Sequence, residues 1–337
     1  MKTYIKIILT LLLILFLAHA FFKTETSYSG RTMGTWYHIK TVTKFLQKPK
    51  DLKKKIDLRL EEINRSMSTF IDNSEISGFN TNHAIGERIR ISDDFFHVMT
   101  IAQELYKLTG GAWDGTVNPL VNLWGFGRRK KQKAIPEKEK IKSVLTQIGF
   151  NNIEISEKKY LRKKIPSISL DLASIAKGYA VDEVARLIKE NGTDNFLVEI
   201  GGEVYASGRG KDGKNWNVGI NTPSKDAVLD QVYKVVPLSN KALATSGDYR
   251  NFFEIDGKPY SHIIDPRTGY PVDKGVVGVT IMADSCAFAD GLATAVMVLG
   301  HAKGLKLVNS LDGVECLIIV EQNNKWINYC SRQFPGF

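Results

Sequence analysis

Cysteine is scarce in this chain, and its spacing does not suit a metal site. Three cysteines occur among the 337 residues, at Cys286, Cys316 and Cys330. An odd number excludes a complete disulfide framework, although a bridge between Cys316 and Cys330, on two candidate strands, stays open. No Cys/His spacing typical of zinc binding is present. Neither zinc nor a disulfide scaffold is therefore expected to hold this fold together.

The chain also lacks repeats, low-complexity tracts and the dinucleotide-binding fingerprint. No fixed sequence period is visible, which excludes a repeat architecture. No Gly-x-Gly-x-x-Gly motif follows a predicted strand, so a nicotinamide-binding domain is not indicated. Hydrophobic residues make up 43% and charged residues 24% of the chain, as in folded proteins generally. We interpret the chain as one globular unit.

The apolar N-terminal segment is too short for an ordinary membrane helix. Two lysines precede an apolar run at 7–18, and Ala18-His19-Ala20 fits a small-residue cleavage site. A membrane span needs about 20 apolar residues, so residues 1–20 are predicted to be a signal peptide, or alternatively an uncleaved membrane anchor. No cysteine lies near this site, which excludes a lipoprotein. We expect residues 21–337 to fold in the periplasm or on the outer face of the inner membrane.

Positive charge is in excess, and much of it is local. The net charge is +10, with a lysine cluster at 48–55 and a basic run at 128–133. Basic runs can bind nucleic acid, but no recognition motif or aromatic platform accompanies these. We interpret them as solvated loops, with attraction to anionic lipid or to an acidic partner as the alternative. No nucleic-acid partner is expected.

Hydrophobic periodicity predicts helices and strands in a mixed order. Helices are predicted at 52–63, 93–108, 136–148, 171–192 and 286–299. Strands are predicted at 35–43, 196–206, 216–220, 232–238, 252–255, 261–264, 276–282, 314–320 and 325–329. Because the order lacks strict βαβ alternation, the fold class is predicted to be α+β, a single domain of mixed sheets flanked by helices.

Two segments carry groups suited to a metal ion and to phosphate. Asp290 and Thr294 are four residues apart on a predicted helix and share a face. Their oxygens suit Mg²⁺, unless Asp290 is a surface residue and Thr294 bonds back to its own helix. Asp171 precedes a predicted helix start, which favours phosphate, and Lys177 adds a cation one turn in. The alternatives are a plain N-cap at Asp171 and an exposed charge at Lys177.

Three further segments combine small, polar and titratable residues. The pair Gly201-Gly202 interrupts a predicted strand and indicates a bulge or a close backbone approach. The segment TSGDYR at 245–250 follows a short apolar strand and favours a turn whose polar groups can contact phosphate or ribose. His262 and Asp265 precede a sharp turn that presents both side chains at a sheet edge. The alternative there is a hairpin end with an incidental histidine.

Eight segments in a fixed order carry a family resemblance. They are MGT at 33–35, MSTF at 67–70 with SEIS at 74–77, GAWDGTVNPLV at 111–121, DLASIAKGYA at 171–180, EIGGE at 199–203, TSGDYR at 245–250, YSHIIDPRTG at 260–269 and ADGLAT at 289–294. Together they resemble the FAD:protein FMN transferase family, also called ApbE, from about residue 30 to about residue 320. One departure is Gly115, where the family often has proline.

The resemblance implies a reaction and its residues. FAD is cleaved at its diphosphate, FMN passes to a threonine hydroxyl of another exported protein, and AMP leaves. The resemblance places Mg²⁺ at Ser174, Asp290 and Thr294. Since histidine accepts protons near neutral pH, His262 is the candidate base, and Asp265 either orients it or holds the turn. The residues expected to bind flavin nucleotide are Met33, Phe70, Asp114, Thr116, Asp171, Lys177, Glu199, Gly201, Ser246, Gly247 and Ile264, with Trp113 as a further wall residue.

The resemblance also implies a partner, while two other functions stay open. The acceptor would be a flavoprotein subunit with an Asp-x-x-(Ser/Thr)-Gly-Ala-Thr segment. One alternative is a metal-dependent FAD pyrophosphatase that uses water as the acceptor. The other is a flavin-binding protein without catalysis, against which His262 and the metal-binding face argue.

Overall fold

The fold is known from a computed structural model. It describes residues 4–8, 10, 23–44, 47, 49–127, 134–224, 231–247, 252–255, 257–323 and 325–336. Most of the predicted signal segment, the basic run at 128–133 and the end of the TSGDYR motif at 248–250 lie outside these residues. Within the described ranges, no helix is long and apolar enough to cross a membrane.

Fifteen strands have bounds in the described residues, and their pairing is antiparallel throughout. The strands are β1 Lys23–Thr32, β2 Thr35–Lys44, β3 Ile89–Arg90, β4 Ile153–Ser156, β5 Tyr160–Lys163, β6 Asn195–Ile200, β7 Glu203–Ser207, β8 Trp216–Asn221, β9 Val232–Leu238, β10 Lys241–Gly247, β11 Phe252–Ile255, β12 Lys258–Ser261, β13 Val276–Ala283, β14 Glu315–Gln322 and β15 Lys325–Cys330. The central sheet runs β1-β2-β6-β7-β10-β13-β14-β15. Smaller sheets are β3-β5-β4, β8-β9 and β11-β12.

The helices are α1 Leu52–Met67, α2 Glu75–Thr81, α3 Asp93–Leu108, α4 Asn118–Leu123, α5 Lys138–Leu145, α6 Ala173–Glu190, α7 Cys286–Leu299 and α8 His301–Val308. Six of them contribute to the main core on one face of the central sheet, whereas α4 and α5 belong to a small separate apolar cluster. Helix α1 buries Leu52, Ile56 and Leu60 at helical spacing, whereas α7 is buried over most of its length. The main core lies between these helices and the sheet. The α+β prediction is confirmed.

Strands β8 and β9 pack against the opposite face of the central sheet. Cys316 and Cys330 lie on different faces of this sheet. Leu317 belongs to this second apolar cluster and Cys330 packs against it, while Cys316 belongs to the main core. Successive residues of a strand point to opposite faces, and Leu317 is the residue that pairs with Cys330. Cys316 and Cys330 therefore lie on opposite faces. All three cysteines are free thiols, so the bridge left open by the sequence does not form.

Two predicted strands differ from the structure. The strand predicted at 196–206 is a hairpin of β6 and β7, because Gly201 and Gly202 adopt φ angles of 64° and 106° and form its turn. Glycine reaches this left-handed region without steric cost. The strand predicted at 261–264 begins earlier: β12 ends at Ser261, and Ile264 makes only an isolated bridge to Pro271.

A half-buried carboxylate joins α7 to α6. Asp182 of α6 accepts hydrogen bonds from the Ser285 hydroxyl at 2.9 Å and from the backbone N–H groups of Cys286 and Ala287 at 2.8 and 3.0 Å. These N–H groups belong to the first turn of α7 and have no partner within the helix. The negative charge also complements the helix dipole. Asp182 therefore fixes where α7 starts relative to α6.

Replacing Asp182 by alanine is expected to lower the free energy of unfolding by about 2–4 kcal/mol, because the α7 N–H groups lose a charged acceptor inside the protein. Urea denaturation followed by circular dichroism measures this. The matched control is Asp284→Ala beside the same helix start, where the side chain is 83% exposed and the expected change is within about 1 kcal/mol. Equal effects of the two changes would contradict this role for Asp182.

Candidate active site

Three charged side chains meet where α6, α7 and the β6–β7 hairpin come together. Lys177 Nζ lies 2.7 Å from Glu203 Oε1 and 3.9 Å from Asp290 Oδ2. Asp290 Oδ2 also accepts the backbone N–H of Gly178 at 3.1 Å. Glu203 and Asp290 are buried, and Lys177 keeps about a third of its side chain exposed. We call these three residues, Lys177, Glu203 and Asp290, the carboxylate pit.

Burial dominates the electrostatics of the carboxylate pit. It raises the pKa of both Glu203 and Asp290 above their ordinary values, against the attraction of the Lys177 ammonium, which favours their charged forms. The pKa of Lys177 moves above its ordinary value, because the two carboxylates outweigh the burial that opposes its charge. The pit thus holds two poorly solvated carboxylates around one ammonium, an arrangement suited to binding a further cation.

Glycine allows α6 and α7 to cross closely beside this pit. A Cβ on Gly178 would lie 2.6 Å from the carbonyl carbon of Cys286, and a Cβ on Gly291 would lie 2.6 Å from Ile175 Cγ2. Gly178, later in α6, thus meets the start of α7, whereas Ile175, earlier in α6, meets the middle of α7 at Gly291. The two helices therefore run antiparallel. This geometry brings the first turn of α6, with Ser174, to the level of Asp290 and Thr294.

Hydroxyl groups extend the pit along α7. Ser246 Oγ and Thr294 Oγ1 are hydrogen-bonded at 3.0 Å, and Thr294 Oγ1 lies 3.4 Å from the Asp290 carbonyl. Ser246 and Gly247 end β10, which pairs with β13. From the sequence, a Thr294 hydroxyl bonded to its own helix was the alternative to a metal ligand. In the structure this hydroxyl makes that long bond and also contacts Ser246. Two hydroxyls and one carboxylate are thereby gathered on one side of α7.

The donor set suits a hard divalent cation. No group of three His, Cys, Asp or Glu side chains that could hold a metal occurs in the described part of the chain. The oxygens of Asp290, Thr294 and Ser174 are instead the carboxylate and hydroxyl ligands that Mg²⁺ accepts together with water and substrate phosphate. Glu203 Oε2 is buried without a hydrogen-bond partner among the described residues. Lys177 therefore leaves one carboxylate oxygen beside Asp290 without a partner in the described ranges. The chemistry of Asp290, Thr294 and Ser174 fits Mg²⁺.

The start of α6 is held by backbone contacts. Helix α6 begins at Ala173 with Leu172 in the cap position, so Asp171 is not the N-cap, but its Oδ1 accepts the Ala173 N–H at 2.9 Å. The Asp171 N–H donates to the Gly115 carbonyl at 2.8 Å. Burial raises the pKa of the Asp171 carboxyl. Trp113 Nε1 donates to Ser174 Oγ at 2.9 Å, which ties the 111–121 motif to the predicted metal ligand.

Asp114 and Thr116 shape their own loop. Asp114 Oδ1 accepts from the Thr116 backbone N–H at 2.8 Å and from its hydroxyl at 2.6 Å, while Oδ2 accepts from Phe150 N–H at 3.2 Å. The Thr116 hydroxyl in turn accepts the Gly149 N–H at 2.7 Å. Both side chains are buried. They support the loop that carries Gly115 and Trp113, and their predicted contact with nucleotide stays a prediction.

The residues predicted to surround the flavin are exposed or half-exposed. Met33 adopts a φ of 50° in the β1–β2 turn and is half-buried. Phe70 is 69% exposed. Glu199 accepts the Gly202 N–H at 2.7 Å and contacts His38 Nδ1 at 2.8 Å. The contact of these residues with a flavin stays a prediction.

The His262 segment is ordered by its own turn. Asp265 accepts the Arg267 backbone N–H at 3.0 Å and pairs with the Arg267 guanidinium at 2.7 Å, and this hydrogen-bonded pair holds the pKa of Asp265 below its ordinary value despite burial. The His262 ring lies against Phe126, with ring centroids 6.3 Å apart. Ile264 is buried beside Trp124 in a small apolar cluster. Of the two roles predicted for Asp265, this geometry supports holding the turn.

The sequence missed Asn80, whose side chain clamps the chain just before Asp171. Asn80 Nδ2 donates to the Leu170 carbonyl at 2.9 Å, and Leu170 N–H donates to Asn80 Oδ1 at 2.7 Å. The clamp joins α2 to a residue 90 positions later. Only a three-dimensional contact reveals this role, because an asparagine near a helix end otherwise indicates an ordinary cap.

Replacing Asn80 by alanine is expected to lower stability by about 1–3 kcal/mol, because two backbone groups lose their partners. The KM for FAD is expected to rise about tenfold or more, since Asp171 and Ser174 lose their support. Steady-state kinetics and thermal unfolding measure the two effects. The matched control is Asn82→Ala, whose side chain bonds Glu87 nearby; an equal rise in KM there would contradict the clamp.

Solved structures of other proteins share this architecture. The flavin transferase ApbE from Vibrio cholerae aligns with a TM-score of 0.84 and 39% identity, covering 93% of this chain and 98% of that one. The flavinyl transferase ApbE of Pseudomonas stutzeri, in its apo form, aligns with a TM-score of 0.83 and 34% identity, covering 93% and 96%. The fold and the site together define the chain as an enzyme of the transferase class.

Sequence comparison identifies the family. The model of the ApbE family matches residues 33–318. An FAD:protein FMN transferase of Vibrio cholerae is 41% identical over 318 residues, which cover 93% of this chain and 92% of the relative. One of Haemophilus influenzae is 38% identical over 316 residues, covering 91% and 90%. The chain belongs to the ApbE family.

Proposed function

We propose that this protein transfers FMN from FAD to a threonine hydroxyl of an exported or membrane-bound flavoprotein subunit, with Mg²⁺ and with release of AMP. The observation that carries the proposal is the meeting of Lys177, Asp290 and the Ser246–Thr294 hydroxyl pair beside the start of α6. A diphosphate needs this combination of cations, hydroxyls and helix N–H groups. The relatives named FAD:protein FMN transferase support the same conclusion.

Asp290, Thr294 and Ser174 would hold Mg²⁺. When bound, the ion neutralises phosphate charge and supports the leaving group. Lys177 contributes a further cation toward the nucleotide, and the positive end of the α6 dipole adds to its charge. Met33, Phe70 and the Gly201 turn would surround the flavin and orient FAD.

The transfer itself needs a base for the acceptor hydroxyl. In the proposed reaction the threonine Oγ forms a bond to the FMN phosphorus as the bond from that phosphorus to the bridging diphosphate oxygen breaks. AMP leaves with the bridging oxygen, and His262 takes the hydroxyl proton. A histidine suits this role because its ordinary pKa lies near neutrality. The turn held by Asp265 and Arg267 keeps the His262 segment in place.

The acceptor and the cellular location extend the proposal. The acceptor is a flavoprotein subunit with an Asp-x-x-(Ser/Thr)-Gly-Ala-Thr segment. The enzyme works outside the cytoplasm, in the periplasm or on the outer face of the inner membrane. The N-terminal pattern at 1–20, with its lysines, short apolar run and small-residue exit, supports export and allows membrane association.

A flavin-transfer assay tests the proposal. The purified full chain is incubated with FAD, Mg²⁺ and an acceptor domain bearing the target threonine, and denatured samples are inspected for flavin fluorescence in the gel. We expect a fluorescent acceptor band that disappears when the threonine is changed to alanine. A dark acceptor with free FMN and AMP would instead establish an FAD pyrophosphatase. A dark acceptor with intact FAD would leave flavin binding without catalysis.

A further inference from the structure

Glu203 lies in the carboxylate pit without a role in the reaction proposed above. It is 3% exposed, at the first position of β7. Its Oε1 contacts Lys177 Nζ at 2.7 Å, while its Oε2 is buried without a hydrogen-bond partner among the described residues. A buried carboxylate with one oxygen unsatisfied is costly. A role in the site would account for that cost.

Lys177 stands between two carboxylates with different tasks. Its ammonium is 2.7 Å from Glu203 and 3.9 Å from Asp290, so the closer pairing is with Glu203. An ammonium bound directly to Asp290 would compete with a divalent cation for that carboxylate. Like charges a few ångströms apart in a poorly solvated site repel strongly. The direction in which Lys177 points therefore decides whether Asp290 can accept the cation.

The hairpin turn places Glu203 beside Lys177. Gly201 adopts a left-handed φ in this turn, and Glu203 follows two residues later. A Cβ on Gly201 would lie 2.8 Å from Thr35 Cγ2, which is too close, and in ordinary contact with Lys177 Cδ at 3.4 Å. Glycine at 201 therefore permits the turn that brings Glu203 to the lysine.

We propose that Glu203 is a positioning residue that holds the Lys177 ammonium away from Asp290, leaving Asp290 able to bind a divalent cation. This inference rests on the proposed function, which places the cation at Asp290. Without the negative charge of Glu203, the remaining carboxylate of the pit is Asp290. Lys177 then moves onto Asp290 and occupies the place of the cation.

Mn²⁺ binding to the full chain in the absence of FAD tests this inference. The free aqueous ion is counted by electron paramagnetic resonance, and Mn²⁺ prefers the same oxygen ligands as Mg²⁺. Glu203→Gln is expected to weaken Mn²⁺ binding about 10- to 100-fold. Adding Lys177→Met to this variant is expected to restore most of the lost affinity. In the native chain, Lys177→Met should have a much smaller effect, so the two changes are not additive.

The variants separate the possible failures. If Asp290→Ala binds Mn²⁺ as tightly as the native chain, the cation site of the proposed function is wrong. If Asp290→Ala loses binding while Glu203→Gln keeps it, the proposed function stands and the role of Glu203 is refuted. If Lys177→Met changes affinity equally with and without Glu203, the glutamate acts through its charge alone, which also overturns the positioning role.

Two further variants control for folding. Glu183→Gln alters a half-buried carboxylate on α6 that pairs with Arg59, outside the pit, and should leave Mn²⁺ binding unchanged. If Glu203→Gln lowers the thermal unfolding midpoint too far for binding studies, Glu203→Asp replaces it. This change keeps the charge but shortens the reach to Lys177, and a partial loss of Mn²⁺ affinity is expected. Native affinity in a folded Glu203→Asp chain would count against the inference.

Discussion

Replacing His262 by alanine is expected to lower the rate of flavin transfer by about 10²- to 10⁴-fold while FAD still binds. The acceptor hydroxyl loses the group that takes its proton, whereas the pit and the start of α6 stay intact. His262 is half-buried against Phe126, so its removal leaves the apolar contacts of Ile263 and Ile264 in place. Single-turnover transfer to the acceptor, together with equilibrium FAD binding, measures the two quantities separately.

The control for this prediction is another histidine. His301 stacks on Tyr329 with ring centroids 4.5 Å apart, at the start of α8, and its replacement by alanine should leave transfer within about twofold of native, as surface changes usually do. Transfer at the native rate in the His262→Ala chain would remove His262 from the role of base. Loss of FAD binding in that chain would show instead that the ring is part of the nucleotide site.

Replacing Asp290 by alanine is expected to lower transfer by about 10³-fold or more and to abolish the proposed dependence on Mg²⁺, because the proposed metal site would lose its carboxylate. Asp290 is buried and receives the Gly178 N–H, so the change also leaves that N–H without its acceptor. Transfer is measured across a Mg²⁺ titration, and the thermal unfolding midpoint reports the structural cost.

Asp290→Asn is the companion variant for this prediction. It preserves shape and can still accept from Gly178, so it should fold like the native chain yet lose most Mg²⁺-dependent transfer. The outcome that would refute the assignment is a folded Asp290→Asn enzyme that still needs Mg²⁺ and turns over normally. Asp284→Ala, on an exposed position before α7, provides a control that should titrate with Mg²⁺ like the native chain.

Regular elements with clear periodicity were predictable from the sequence. Helix α7 and strands β9 and β11 have the predicted bounds, and the apolar run of α7 agrees with its burial. Strand β1 was missed because its sequence KTETSYSGRT is polar on nearly every residue. It is an edge strand that forms by pairing with β2 rather than by burying an apolar face. Pairing partners of this kind are set by tertiary structure.

The candidate site was predictable in part, for a related reason. The Asp290–Thr294 spacing on α7 could be inferred, because a helix fixes which residues share a face. The roles of Asn80 and Glu203 could not, since each depends on a partner far along the chain, Leu170 or Lys177. The glycine pair at 201–202 indicates a bulge or a close backbone approach in the sequence, and only the pairing of β6 with β7 reveals the turn. Contacts between distant segments were the missing information.

The close crossing of α6 and α7 has a consequence for the newly made protein. Gly178 and Asp290 touch although 112 positions separate them, so the pit cannot exist until the last quarter of the chain has joined the rest. Folds rich in contacts of such long range fold slowly. If the enzyme is exported as proposed, a chain that has not yet placed α7 beside α6 lacks the site, and transfer activity is expected only after the two helices have joined.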